Sequence, residues 1–118
     1  MSRDYITCHI LDTVTGLPAP KVRVELSRLQ NGEEIPIATG HTDNDGRISN
    51  WESARVTSVI PGAHKIKFET GPYLSSKTKG EVFFPVVEVV FVVSDPPQAH
   101  YHIPLLLSNY SYSTYRGS

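Results

Sequence analysis

Only one cysteine, Cys8, occurs in the sequence, so no internal disulfide can form, and Cys-pair zinc sites and CxxC redox chemistry are both excluded. An excess of charge of one sign is lacking as well: eleven Lys and Arg stand against twelve Asp and Glu, and no stretch concentrates either. Without a basic stripe, neither nucleic acid nor an anionic membrane surface is an expected partner. Long apolar runs are missing too. The longest, residues 82–93, is interrupted by Pro85 and Glu88 and is too short to cross a bilayer. Arg3 and Asp4 lead directly into a strand-like segment without the apolar core of a secretory signal, so a cytoplasmic protein is expected. Arg116-Gly117-Ser118 is not the SKL-type peroxisomal address, and import by another signal in a eukaryote stays open.

Helical periodicity is nearly absent, and period-two alternation takes its place. Residues 5–12 put Ile6, Cys8 and Ile10 on one face and Thr7, His9 and Leu11 on the other. After a Gly- and Pro-bearing loop over 13–21, Val22, Val24 and Leu26 alternate with Arg23 and Glu25. Asn31-Gly32 turns the chain into a strand over 35–42, weakened by Pro36 and Gly40. Asp43-Asn44-Asp45-Gly46 is the densest turn signal, because these residue types tolerate the backbone angles of a tight turn, and Arg47 follows it as a positioned cation. Residues 50–61 are irregular, with a short strand expected around 56–59. Residues 64–69 alternate Ile66 and Phe68 against Lys65 and Lys67, and His41 and His64, near strand ends, are expected in solvent. The one helix candidate is 70–80, a turn or two capped by Thr70 with Pro72 near its start. Residues 82–93 form a strand with Val87, Val89, Phe91 and Val93 on one face.

The end of the chain is the most informative stretch. Residues 100–107 and 110–116 predict a strand pair joined at Ser108 and Asn109. Tyr101, Ile103, Leu105 and Leu107 make a core face. His100, His102, Pro104 and Leu106 make the other, and stability alone gives no reason to put two imidazoles there. Ser113 and Tyr115 share a face, and the closing Tyr115-Arg116-Gly117-Ser118 reads as a frayed tail or as a lid. Seven or eight short strands with one short helix predict an all-β, two-sheet sandwich in a single domain over 1–118, a length that buries roughly two-thirds of the unfolded surface.

The segments Cys8-His9-Ile10-Leu11-Asp12, Thr42 to Arg47, Phe84-Pro85 and the stretch ending Tyr115-Arg116-Gly117-Ser118 resemble the transthyretin family, and specifically its enzyme branch, the 5-hydroxyisourate hydrolases. The resemblance covers essentially the whole chain, and the final tetrapeptide is its most specific mark. The hormone-carrier branch has lysine in place of His9, glutamate in place of Arg47, and threonine in place of His102 and Tyr115. Asn109 departs from the pattern, standing where proline is expected, and implies a looser final turn.

The resemblance implies a homotetramer, a dimer of dimers, with active sites in the channel between dimers where His9, Arg47, His102 and Tyr115 to Ser118 converge. It implies a small-molecule substrate, 5-hydroxyisourate, whose cyclic amide is opened by water to give 2-oxo-4-hydroxy-4-carboxy-5-ureidoimidazoline, with neither metal nor cofactor. Such a reaction needs a base for the attacking water and donors for the developing oxyanion. An imidazole of ordinary pKa near ~6.5 suits the first role and a permanently charged guanidinium the second. His102 with His9 is assigned to the water, and Arg47 to the carbonyl edge and its charge. Tyr115, Ser113, Arg116, Gly117 and Ser118 are assigned to substrate binding. Which histidine is the base stays open.

Taken singly, His9 reads as a hydrogen-bonded strand histidine, Arg47 as an exposed turn residue and Cys8 as core. His100 and His102 form an HxH pair, a weak metal signal with no carboxylate or cysteine at a suggestive spacing, and His100 reads as peripheral. Two other functions compete: a carrier that binds a small aromatic ligand without turnover, and a structural sandwich module indifferent to loss of its last four residues.

Overall fold

The computed structural model describes residues 2–118. One sheet runs β2 (Leu17–Pro18), β1 (Ile6–Asp12), β8 (Tyr101–Leu107), β9 (Tyr112–Thr114), with the two-residue β5 (Arg47–Ile48) also paired to β1. The other runs β4 (Glu33–His41), β3 (Arg23–Gln30), β6 (Gly62–Phe68), β7 (Val87–Val93). Every pairing is antiparallel except β1 with β8, which are parallel and come from opposite ends of the chain. The expected all-β sandwich is the observed one. Among the described residues nine strands stand in place of seven or eight, because β2 and β5 are two-residue pairings inside segments that read as loop and turn.

Alternation decides what lies between the sheets. Ile6, Cys8 and Ile10 of β1 and Ile103, Leu105 and Leu107 of β8 face Val24 and Leu26 of β3 and Ile66 and Phe68 of β6, all buried. Removing such a side chain from water stabilises by roughly 1.5–3 kcal/mol, so this face sets the register of every strand that carries it.

Four local expectations need correction. Residues 56–59 form no strand: Val56 is buried and its carbonyl accepts from the Tyr5 amide at 2.8 Å, but the segment is irregular. The strand expected over 82–93 begins only at Val87, beyond Pro85. The helix α1 (Gly71–Lys77) has Pro72 in its first turn, but Thr70 does not cap it with its side chain. The Thr70 hydroxyl instead donates to the Phe84 carbonyl at 2.6 Å and ties the helix start to the approach to β7. His64 is not solvated but 1% exposed. It shares the face of Ile66 and Phe68, stacks on Phe91 with centroids 5.6 Å apart, and its Nδ1 lies 3.0 Å from the Gly62 carbonyl. His41 is exposed, beside Glu52.

Candidate active site

The site is built on the outward face of the first sheet. Parallel pairing of β1 and β8 sets Thr7 opposite His102 and His9 opposite Pro104. On the other side of β1, β5 sets Arg47 opposite His9. Because Ile6, Cys8 and Ile10 are committed to the core, Thr7 and His9 face away from it, as do His102 and Pro104 between Tyr101, Ile103 and Leu105.

The turn before Arg47 holds that residue firmly. The Asp43 carboxylate accepts from the backbone amides of Asp45 at 2.8 Å and Arg47 at 3.0 Å, and the Asp43 amide donates to the Arg47 carbonyl at 2.9 Å. Gly46 has φ +73°, and a Cβ there would lie 2.6 Å from the Ile10 carbonyl oxygen. Only glycine lets the turn lie this close to β1, where the Ile10 amide donates to the Gly46 carbonyl at 2.8 Å.

The tail is ordered against β8 rather than frayed. Thr114 donates its hydroxyl to the Pro104 carbonyl at 2.7 Å, and the Gly117 amide donates to the His102 carbonyl at 2.8 Å. Arg116 donates to the Gln98 side chain at 3.1 Å and the His100 carbonyl at 3.2 Å, with its guanidinium over the Tyr101 ring. A Cβ on Gly117 would sit 2.6 Å from Cδ2 of His102, so the tail crosses the imidazole at a distance only glycine permits. Asn109 does not loosen its turn. Its side chain accepts from the Phe83 amide at 3.1 Å and donates to the Glu81 carbonyl at 2.9 Å, fastening the turn to the segment before β7.

Arg47, His102 and Ser118 therefore line one concavity of about 110 Å³, together with Arg3, Thr7, Cys8, Ser49 and His100. His9 stands beside it, across the strand pair from Arg47. Ser113 lies opposite Leu106, further along the sheet. Tyr115 and Arg116 instead line a larger groove of about 460 Å³ with Val89, Phe91, Gln98, Tyr101 and Ile103. The smaller concavity brings two imidazoles and two arginines together, whereas the groove walls are mostly apolar and offer no base.

Sequence reasoning missed Arg3, Thr7 and Ser49 and treated His100 as peripheral. Strand parity put Thr7 on the His9 face, but nothing in the sequence set it opposite His102. Its hydroxyl lies 2.7 Å from His102 Nδ1 and 3.0 Å from His100 Nε2, and the two rings stack with centroids 6.2 Å apart.

Burial and positive charge keep the imidazoles neutral. Desolvation, then Arg47, His100, His9 and Arg3, push His102 down to about 4. His9 is lowered by burial and by Arg47, partly offset by the Asp45 backbone and the carboxylates of Asp43 and Asp45. Burial, Arg3 and Arg116 lower His100. A neutral imidazole keeps one ring nitrogen as an acceptor, and beside a guanidinium it can deprotonate a water while the cation receives the charge that develops. Burial raises the Cys8 thiol to about 12, which removes it as a nucleophile. Among the described residues no group of three or more His, Cys, Asp and Glu side chains is gathered as metal ligands.

Fold and site together define a β-sandwich of the transthyretin type whose outward sheet face bears imidazoles and a guanidinium. The chain belongs to the HIUase/Transthyretin family, whose profile matches residues 6–117. It is 46% identical over 116 residues to the 5-hydroxyisourate hydrolase of Salmonella dublin, covering 98% of this chain and 82% of that one. Among solved structures it is similar to the Klebsiella pneumoniae 5-hydroxyisourate hydrolase, with TM-score 0.77 and 34% identity over the whole of both chains. It is also similar to transthyretin from Sparus aurata, with TM-score 0.84 and 34% identity over 98% and 97% of the two chains. A crystal structure of (S)-allantoin synthase aligns with TM-score 0.82 and 36% identity, covering 99% of this chain and 44% of that one. The hydrolase and transthyretin thus share the fold, and the side chains on the outward face have to separate them.

Proposed function

We infer that the chain hydrolyses 5-hydroxyisourate, opening its cyclic amide to 2-oxo-4-hydroxy-4-carboxy-5-ureidoimidazoline in urate catabolism. The observation that carries this reading is His102, held neutral in a concavity that Arg47 and Ser118 also line, with the Gly117 amide bonded to its carbonyl. A carrier needs no base there; a hydrolase needs one. In the proposed reaction His102, with His9, takes a proton from water as the oxygen attacks the amide carbonyl. Arg47 holds the carbonyl edge and stabilises the oxyanion, and the leaving nitrogen recovers the proton as the C–N bond breaks.

A concavity of about 110 Å³ is smaller than the roughly 300–1,000 Å³ of ordinary ligand sites, which supports completion of the site by a second copy. The half-buried Leu11 and Leu106 continue the same sheet face. A homotetramer arranged as a dimer of dimers fits both points, with Ser113, Tyr115 and Arg116 reaching substrate across the interface; sedimentation of the protein as a monomer would remove that arrangement.

The test is the ultraviolet decay of freshly generated 5-hydroxyisourate with wild type and with His102→Ala. Acceleration that is lost in the variant supports the reading. Folded wild type without acceleration refutes it and leaves the carrier. Turnover unchanged by chelators is expected, and chelator-sensitive turnover would revive a metal at His100 and His102.

A further inference from the structure

The Thr7 hydroxyl is 4% exposed as a residue and has two imidazole nitrogens as its hydrogen-bond partners, His102 Nδ1 and His100 Nε2. A hydroxyl carries one proton. It can donate to one of these nitrogens and must accept from the other, so the protons of the three groups form one line that points in one of two directions. With Nδ1–H of His102 donating to Thr7 and Thr7 donating to His100, His102 Nε2 has a free lone pair and is a base. With the line reversed, His102 carries its proton on Nε2 and is an acid. A ring that takes the proton of water on Nε2 and later gives it to the leaving nitrogen can stay neutral throughout if it passes from the first state to the second.

We propose that Thr7 and His100 are positioning residues that form a proton relay behind His102, switching it from base to acid within one turnover. This deepens the hydrolase reading and rests on it. As the water oxygen bonds to the amide carbonyl, its proton goes to His102 Nε2. The Nδ1 proton passes to Thr7 Oγ1, and the Thr7 proton passes to His100 Nε2, leaving His102 neutral with a proton on Nε2 and His100 as the cation. Collapse of the intermediate breaks the C–N bond, His102 Nε2–H protonates the leaving nitrogen, and the line runs back from His100 through Thr7 to His102 Nδ1. Protons and charge balance, and no other reactant is required.

Geometry gives the relay its advantage. An imidazolium on His102 would face Arg47, Arg3, His9 and His100, whereas the same charge on His100 faces Arg3 and Arg116 and the neutral His102. His102 is the more enclosed by positive charge, with Arg47, Arg3, His9 and His100 around it, so the charge rests more easily on the outer ring. The main chain that carries both rings is fixed, since the Gly117 amide donates to the His102 carbonyl and the Arg116 guanidinium to the His100 carbonyl.

The experiment compares full-length wild type with Thr7→Val, Thr7→Ser and His100→Gln in the 5-hydroxyisourate decay assay, with kcat and KM resolved and the rate followed in mixtures of light and heavy water. Thr7→Val is expected to lower kcat by about ten- to a hundredfold with KM little changed, a part of what acid–base catalysis supplies. Thr7→Ser is expected to restore most of it, because serine keeps the hydroxyl. His100→Gln should behave as Thr7→Val. Wild type should show the curved isotope dependence of more than one proton in flight, and Thr7→Val a linear one. A Thr7→Val enzyme with wild-type kcat, a serine variant as impaired as the valine one, or a linear wild-type dependence overturns the relay alone. A folded wild type without turnover overturns the relay and the hydrolase reading together.

Discussion

Substituting Gly117 by alanine isolates the contact between the tail and the site. The new methyl would stand 2.6 Å from His102 Cδ2 and 3.2 Å from Pro104 Cγ, while ordinary contact begins at 3.4 Å, so one partner must retreat by about 0.8 Å. Pro104 is buried and cannot give. His102 would have to leave its 2.7 Å contact with Thr7 and its stack on His100. The tail stands to lose the Gly117 amide bond to the His102 carbonyl, worth about 0.5–1.5 kcal/mol. The tail therefore lifts, and Ser118 leaves the wall of the concavity. The core is untouched, so the unfolding midpoint should move little. A misplacement of about 1 Å costs up to ~100-fold in rate, and kcat/KM is expected to fall by about ten- to a hundredfold. Decay kinetics of 5-hydroxyisourate, with a urea melt of the same sample, read both quantities. A Gly117→Ala enzyme with wild-type kcat/KM would mean that the tail does not shape the site.

Arg47→Ala should lower turnover by about a hundred- to a thousandfold, as loss of an oxyanion donor does, and should raise the His102 pKa in an imidazole NMR titration because Arg47 is the leading charge depressing it; an unmoved His102 would separate the two residues. Since His102 protonates at about 4 when folded and near ~6.5 when unfolded, the unfolded chain binds more protons in between. Stability should therefore fall as pH falls through that window, by on the order of 2–3 kcal/mol from His102, with His9, His64 and His100 acting in the same direction. Urea midpoints that stay flat between pH 7 and pH 4.5 would contradict this. Gly46→Ala forces alanine into positive φ against the Ile10 carbonyl and should cost at least roughly 1–3 kcal/mol while displacing Arg47; a melt and a turnover rate both like wild type would show that the turn adapts.

What was legible in the sequence is what short-range physics dictates. Period-two alternation committed Ile6, Cys8 and Ile10, and Tyr101 to Leu107 at every second position, to the core, and so turned His9 and His102 outward before any partner strand was known. Asp43 to Gly46 announced a turn that holds Arg47, because those residue types favour its backbone angles and Asp43 binds the amides beyond it. Tertiary structure decided what pairs with what. The parallel register of β1 and β8, joining residues more than ninety positions apart, puts the Thr7 hydroxyl between His100 and His102. Packing elsewhere in the fold likewise buried His64, released Thr70 from its cap and folded Gly117 back onto His102. Side-chain periodicity is a property of one strand and is written in its residues. Register between distant strands is set by the packing of the whole core, and the outward pairs it creates leave no mark in either segment alone.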